Sequence, residues 1–232
     1  MGQLELYQLQ NGYRYNSDTL FLYDFIGNKP KGQILDVGCG CGILGLLVAR
    51  DNEIKLTGID IDPLNVQISQ HNASVNGIAG EFIAEDFSKF KSDIKFDFII
   101  SNPPFYHTDV TKSQNKHIAN SRYSDSLSLE EFLASCNRNI KPKGVLYFCY
   151  DAKQIGDIVP LLSKFKLNLT KLKFIYSKDN QNAKLVLIEA KKSSRSMCEV
   201  VLPLVVFDRN ELSVDAREIF NKANTISKVY EC

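Results

Sequence analysis

Apolar runs of four to six residues alternate along the middle of this chain with longer segments in which apolar residues recur at helical spacing. Such alternation predicts a mostly parallel sheet whose strands are joined by helical crossovers. The predicted strands cover residues 33–37, 54–59, 81–84, 96–101 and 145–150. The predicted helices cover residues 43–50, 63–77, 128–140 and 152–165.

A hairpin at one edge completes the predicted sheet. Segments 169–176 and 184–190 can pair as antiparallel strands, which brings the mostly parallel sheet to seven strands. Because helices and strands alternate without a linker or repeat, we expect a single α/β domain over residues 1–232, with its core at 33–190.

The two ends of the chain lie outside this alternating pattern. Residues 1–32 contain a short apolar helix at 18–26 and are interpreted as an N-terminal lid. Residues 191–232 are interpreted as a C-terminal extension, strand-like at 200–207 and helical at 214–223. Both are expected to add to the one domain as lids or edge elements.

Composition narrows the class of protein. With 232 residues and 44% apolar content, the chain can bury one core. No apolar run approaches the length of a membrane span, and the N-terminus lacks a signal-peptide pattern. We therefore expect a soluble protein of the cytoplasm. The net charge of +1 gives no overall nucleic-acid signature.

The cysteines and histidines show no metal-binding or redox pattern. None of the six cysteines forms a Cys-x-x-Cys pair, and the three histidines lack metal-ligand spacing. We expect buried free thiols in a reducing compartment and no metal ion. His71 falls inside a predicted helix and is interpreted as structural. His107 and His117 fall in a polar loop and are interpreted as surface residues.

A glycine-rich turn, Gly38-Cys-Gly40-Cys-Gly42, follows the first core strand and opens the next helix. Glycine permits tight backbone angles and close approach of a ligand. Gly40, Gly42 and Gly45 also fit the dinucleotide-binding pattern, and Asp60 follows twenty residues after Gly40. The spacing indicates a nucleotide-like cofactor and leaves a nicotinamide dinucleotide and S-adenosylmethionine both open.

Carboxylates at the ends of three predicted strands favour S-adenosylmethionine. Asp36, just before the turn, would repel a pyrophosphate but suits a sulfonium and an α-ammonium group. Asp60 can accept from both ribose hydroxyls, and Asp86 from an adenine amino group. With the residues that follow them, Ile61 and Phe87, they form the expected cofactor site.

The element Asn102-Pro103-Pro104-Phe105 stands at the end of the apolar run 96–101. Proline holds φ near −65° and has no N–H, so neighbouring carbonyls can be aimed at a ligand. Asn102 offers a side-chain carbonyl, and Phe105 a flat face for a planar group. These residues are the expected catalytic group, and they suit the recognition of an exocyclic amino group.

With these motifs, the chain resembles class I S-adenosylmethionine-dependent methyltransferases of the Asn-Pro-Pro-aromatic type, which methylate planar nitrogens. Within that class it is most similar to the bacterial tRNA adenine-N6 methyltransferases that act beside the anticodon. Besides the Asn-Pro-Pro-Phe element, segments 12–18, 121–131, 187–192 and 202–208 carry the resemblance, which therefore spans nearly the whole chain.

The resemblance implies a Rossmann-like fold, S-adenosylmethionine as cofactor, and the anticodon loop of a tRNA as substrate of a monomeric enzyme. It also implies that the target base lies at Asn102 to Phe105. The Asn102 oxygen and the Pro103 carbonyl can accept the two N–H bonds of the adenine amine, while Phe105 stacks on the ring. The chain departs from many relatives in carrying Phe105 in place of Tyr.

A basic segment could hold the RNA backbone. Residues 160–195 contain nine Lys or Arg but two acidic residues, which is typical of either a solvated face or a phosphate-binding surface. Lys171 and Lys173 alternate on one strand face and should act together. Arg14 and Arg122 flank the expected pocket mouth and could hold phosphates nearer the target base.

Three other classes stay open. A release-factor glutamine methyltransferase shares the Asn-Pro-Pro element, but that family usually carries a helical domain before the core, where this chain has about thirty residues. A nicotinamide-dependent dehydrogenase would use the same glycine turn. A catalytically inactive S-adenosylmethionine-binding adaptor would keep the turn and have no need of Asn102.

Overall fold

A nine-stranded sheet forms the centre of the protein in a computed structural model that describes residues 2–10, 15–103 and 127–230. Its strands are β2 (Gly32–Val37), β3 (Ile54–Asp60), β4 (Gly80–Ala84), β5 (Phe96–Ser101), β6 (Ile140–Asp151), β7 (Leu167–Tyr176), β8 (Ala183–Lys192), β9 (Glu199–Val200) and β10 (Leu204–Val205). The order across the sheet is β10-β7-β8-β6-β5-β2-β3-β4, with β9 also beside β7.

Five of these strands, β2 to β6, run parallel, and β8 alone is antiparallel to both its neighbours, β6 and β7. The predicted α/β fold with seven main strands and an antiparallel hairpin is therefore confirmed. The hairpin is not at the edge, however, because the two-residue strands β9 and β10 cover the outer side of β7.

Helices cover both faces of the sheet. They are α1 (Ser17–Ile26), α2 (Ile43–Asp51), α3 (Pro63–Val75), α4 (Leu129–Asn139), α5 (Ile155–Lys164) and α6 (Val214–Ala223). The predicted capping box is present: Ser128 and Glu131 each bond the other's backbone N–H at the start of α4. The predicted helix 152–165 is divided, because a 3₁₀ turn over Ala152–Gln154 precedes α5.

Two apolar cores lie on opposite faces of the sheet. Ile34 and Leu35 are adjacent in β2 and both fully buried, yet they belong to different cores, because successive side chains of a strand point to opposite faces. In β6, Phe148 likewise faces one core and Cys149 the other. Burial of each such large side chain contributes about 1.5–3 kcal/mol, so the parallel strands are fixed from both sides.

The chain ends meet in a separate two-stranded parallel sheet. Strand β1 (Leu4–Gln8) pairs with β13 (Thr225–Val229), and the side-chain amides of Asn72 in α3 and Asn76 just after it hold β1. The first residues are thus a paired strand, which the apolar pattern did not indicate.

The C-terminal region is more broken than predicted. The predicted strand over 200–207 is interrupted at Pro203, which cannot donate to a ladder, and continues as β10 and then β11 (Phe207–Asp208), which pairs with β12 (Glu211–Leu212). No helix among the described residues is long and apolar enough to cross a membrane.

The thiol prediction is partly wrong. The described cysteines are free, and three of them are buried: Cys39, Cys136 and Cys149. Cys41 is half-buried, and Cys198, between β8 and β9, is exposed. Cys232 lies outside the described residues. His71, in α3, packs edge-on against the rings of Tyr7 and Tyr230.

Candidate active site

Two adjoining cavities lie at the carboxyl edge of strands β2 to β6. The first encloses about 920 Å³, part of it open to solvent, and the second about 560 Å³. Gly38, Gly40, Asn65 and Asn102 line both, so the cavities meet at the glycine turn and at the end of β5. This is the edge where ligands bind in open α/β sheets.

The glycines of the turn divide into two roles. A Cβ added at Gly38 or Gly40 would meet no atom within 4 Å, so the backbone there faces open space in the cavities. A Cβ at Gly42 would come within 2.9 Å of the Ser69 side chain, and one at Gly45 within 2.8 Å of Leu56. Gly38 and Gly40 therefore allow a ligand to approach, whereas Gly42 and Gly45 allow α2 to pack closely.

Asp36 lies at the second cavity, almost fully buried, and its Oδ2 accepts a hydrogen bond of 2.9 Å from the Gly45 backbone N–H. Burial and, to a lesser extent, the nearby charge of Asp60 raise the pKa of this carboxyl to about 7, although the hydrogen bond from Gly45 opposes the increase. A cationic group in the second cavity would therefore stabilise the ionised form of Asp36.

Asp60 ends β3 and lines the first cavity. Its Oδ2 accepts from the Gly40 N–H at 2.8 Å, and its Oδ1 accepts from the Asp62 N–H and the Asn65 side chain. The carboxylate thus connects the glycine turn to the start of α3. Ile61 follows on the cavity wall with an exposed side chain.

Asp86 follows β4, the strand beside β3, and also lines the first cavity. Its Oδ1 accepts from the Ser88 N–H and hydroxyl, and its Oδ2 pairs with Lys89 at 3.2 Å. Although burial opposes the charged form, these contacts outweigh it and hold the pKa of Asp86 below its ordinary value. Phe87 is buried beside it and also lines the cavity.

Asn102 stands between the cavities, directly after β5. Its Nδ2 donates to Thr19 Oγ1 at 2.8 Å, and its Oδ1 accepts from the Cys149 thiol at 2.9 Å. Pro103 continues the wall of the first cavity. Four other residues of the expected site, Pro104, Phe105, Arg14 and Arg122, lie outside the described residues.

Residues 14–165, more than half of the chain, match the family model of the methyltransferase small domain. The chain belongs to this methyltransferase family. The assignment disfavours the nicotinamide-dependent dehydrogenase that the glycine spacing had left open.

Several curated relatives of this methyltransferase are named tRNA1(Val) (adenine(37)-N6)-methyltransferase. The protein of that name from Shewanella loihica is 30% identical over 167 residues, 68% of each chain. That from Phocaeicola vulgatus is 26% identical over 193 residues, 82% of each chain.

Solved structures agree on the fold. A protein from Agrobacterium tumefaciens described as a predicted O-methyltransferase superposes with a TM-score of 0.68 at 15% identity, over 91% of this chain and 99% of its own. A Listeria monocytogenes protein assigned to class I S-adenosylmethionine-dependent methyltransferases gives 0.62 at 19% identity, over 93% and 73%. The T. thermophilus 16S rRNA N2 G1207 methyltransferase, solved with AdoMet and guanosine, gives 0.55 at 19% identity, over 79% and 45%. The Rossmann-like class I methyltransferase fold is confirmed.

An apolar wall of the first cavity was missed by sequence reasoning. The wall is formed by residues at the start of α4 and at the end of β6: Leu127, Leu129, Phe132 and Tyr150. The capping box predicted where α4 begins, but the hydrophobic pattern did not indicate that the first turn of α4 faces the cavity. Thr19 and Cys149 were missed for the same reason, because their partner is distant in sequence.

The lysines in and near the basic segment of the methyltransferase, residues 160–195, differ in exposure and in ion pairing. Lys171 forms an ion pair of 3.2 Å with Glu199 of β9, and Lys173 is half-buried. Two exposed lysines, Lys153 and Lys184, instead line a groove that begins at Asp151, the residue after cavity-lining Tyr150. Across the described ranges, no three His, Cys, Asp or Glu side chains are grouped as a metal site would require.

Proposed function

We propose that this methyltransferase transfers a methyl group from S-adenosylmethionine to the exocyclic N6 of the tRNA adenine beside the anticodon. The observation that carries the proposal is the position of Asn102, which starts the Asn-Pro-Pro-Phe element at the junction of two cavities. Relatives named for adenine-N6 methylation of tRNA, 23–30% identical over most of the chain, support the substrate.

The residues present fit S-adenosylmethionine. The first cavity combines apolar walls at Ile61 and Phe87 with carboxylates at Asp60 and Asp86, which suits a nucleoside. The second has the buried Asp36, which suits an α-ammonium group. When bound, the cofactor supplies an electrophilic methyl group on a sulfonium.

The target amine needs orientation, because its lone pair is delocalised into the adenine ring. Oδ1 of Asn102 and the carbonyl of Pro103 each accept a hydrogen bond from one of the two N–H groups of the amine. These contacts turn the nitrogen lone pair toward the methyl group. Phe105 stacks on the base, a contact worth roughly 1–3 kcal/mol. Catalysis then comes mainly from positioning and from fixed dipoles.

The adenine must leave the RNA stack to reach Asn102, which is easiest in a loop. We propose that Arg14 and Arg122 hold phosphates near the flipped base, and that Lys171 and Lys173 contact the more distant backbone. Lys153 and Lys184, in the groove that begins at Asp151, offer a further place for phosphates. Because tRNA is a cytoplasmic substrate and one chain supplies both cavities, we propose a cytoplasmic enzyme that acts as a monomer.

Mass spectrometry of nucleosides tests the proposal. tRNA incubated with the enzyme and isotope-labelled S-adenosylmethionine should yield labelled N6-methyladenosine, and Asn102→Ala should form it more slowly by about 100-fold or more. A release factor is assayed in parallel, because labelled glutamine there, with unlabelled tRNA, would assign the enzyme to the protein-methylating class. Absence of label in both substrates would overturn the proposed reaction.

A further inference from the structure

The side-chain amide of Asn102 is held from both sides by buried residues. Thr19 in α1 accepts from Nδ2, and Cys149 in β6 donates to Oδ1. Thr19 is 3% exposed and Cys149 0%. Because neither partner can move without disturbing a packed core, the two contacts together fix the plane of the amide.

The sheet register explains why Cys149 reaches this amide. Ser101 of β5 pairs with Phe148 of β6, so the next residues along these parallel strands, Asn102 and Cys149, lie side by side. Alternation along β6 turns Phe148 into one core and Cys149 into the other, which also contains the buried apolar residues of α1. The thiol therefore lies on the same face as Thr19.

The thiol also selects which end of the amide faces it. A flip of 180° would exchange the oxygen and nitrogen of Asn102 and place an N–H against the thiol. Burial, together with the charge of Asp18, raises the pKa of Cys149 well above its ordinary value, so the sulfur keeps its proton. A protonated thiol is a donor and a poor acceptor, and it therefore favours the oxygen.

We propose that Cys149 is a positioning residue for methyl transfer, because its thiol holds Oδ1 of Asn102 in the orientation that receives the target amine. The oxygen has two acceptor sites, of which the thiol occupies one and leaves the other for the substrate N–H. This inference rests on the proposed function, in which Asn102 binds the adenine amine.

Three variants test it. Cys149→Ala removes the donor and should lower kcat for tRNA roughly three- to tenfold, the rate equivalent of one neutral hydrogen bond. Cys149→Ser restores a donor and should recover most of kcat. Cys136→Ala is the matched control, because Cys136 is equally buried, in α4, but has no contact with Asn102. The Kd for S-adenosylhomocysteine should be unchanged in all three and reports that each is folded.

A second readout does not need the substrate. In ¹⁵N-labelled protein, the side-chain amide resonance of Asn102, assigned by its loss in Asn102→Ala, should shift in Cys149→Ala and not in Cys136→Ala. A wild-type enzyme that forms no N6-methyladenosine overturns the proposed function. The positioning role is overturned separately if the wild type is active while Cys149→Ala keeps its kcat, or if the Asn102 resonance does not respond.

Discussion

The carboxylate of Asp60 accepts a hydrogen bond of 2.8 Å from the backbone N–H of Gly40. The end of β3 is thereby bonded to the turn that follows β2, and the same carboxylate receives the Asp62 N–H at the start of α3. A residue proposed to bind the cofactor ribose is therefore also part of the framework that shapes the cavity. Substitution there should affect both binding and folding.

Asp60→Ala should weaken S-adenosylhomocysteine binding by about 1.5–3 kcal/mol, the range for losing hydrogen bonds to a charged group. It should also lower Tm, because the Gly40 N–H loses its acceptor. Calorimetry and thermal unfolding measure the two effects. Asp62→Ala is the control: it removes an exposed helix cap, worth about 1 kcal/mol of stability, and should leave affinity unchanged. Equal affinity of Asp60→Ala and wild type would show that the ribose contact is wrong.

Asn102→Ala should reduce methyl transfer about 100-fold or more, the size seen when one preorganised polar contact to the reacting atoms is lost. Affinity for S-adenosylhomocysteine should change little. The assay is single-turnover methylation of tRNA, with calorimetry for the cofactor product. Asn168→Ala removes a half-buried amide in β7 as a control. Turnover near the wild-type rate in Asn102→Ala would contradict the assignment.

Phe105→Tyr should keep activity, because the aromatic face is preserved. Phe105→Ala should lose much of it through lost stacking, roughly 1–3 kcal/mol in apparent tRNA affinity. Steady-state kinetics with tRNA compare the three proteins. Similar values for all of them would mean that the ring packs into the protein and not on the base.

Binding of the cofactor product should depend on pH through Asp36. Its folded pKa of about 7 is above the ordinary aspartate value of 3.8, so between these values the free protein holds a proton there that the unfolded chain releases. The free energy of unfolding should therefore fall as pH rises from ~4 to ~7, by at most ~1.4 kcal/mol per unit for this group. Affinity for S-adenosylhomocysteine, whose ammonium favours the carboxylate, should rise over the same range.

Asp36→Asn is the control for the pH dependence of unfolding and for that of binding. Its amide cannot ionise, so this component of the pH dependence should disappear from unfolding and from binding. Calorimetry in buffers of different ionisation enthalpy should show about one proton released on binding near pH 6 by wild type alone. Equal proton release by wild type and Asp36→Asn would contradict the raised pKa.

Lys171→Ala with Lys173→Ala should weaken tRNA binding and flatten its dependence on salt, each lost phosphate contact reducing the log–log slope by about 0.9 or less. The ion pair of Lys171 with Glu199 favours a smaller effect than for Lys153→Ala with Lys184→Ala in the exposed groove. Lys31→Ala with Lys55→Ala is the control, because these exposed lysines lie at the amino ends of β2 and β3, away from the cavities. Unchanged affinity and slope in the first double variant would make the β7 lysines a solvated face.

Local patterns were sufficient to predict the centre of the molecule. The strand ends at Asp36, Asp60 and Asn102 follow from continuous apolar runs closed by polar residues, and parallel strands bring such ends to one edge. The glycine turn was located, although Gly42 proves to face α3 and not the cavities. Its spacing alone could not distinguish a ligand contact from a helix contact.

The remaining features depend on pairs of residues that are distant in sequence. The contacts of Asn102 with Thr19 and Cys149 join different helices and strands, and the hydrophobic periodicity of the sequence cannot predict them. The strands β9 and β10 have two residues each and take their conformation from β7, not from local propensity. Composition likewise could not show that Lys171 is paired with Glu199.

The pairing of β1 with β13 can form only late in the synthesis of the chain. Leu4 lies opposite Thr225, so the first strand is made long before its partner emerges from the ribosome. At ~5–20 residues per second, the delay is roughly 10–45 s. During that interval the edge of β1 that β13 will occupy is open to other chains, and Leu4 and Leu6 lack part of their final cover. The nascent chain therefore exposes a strand edge that the finished protein covers.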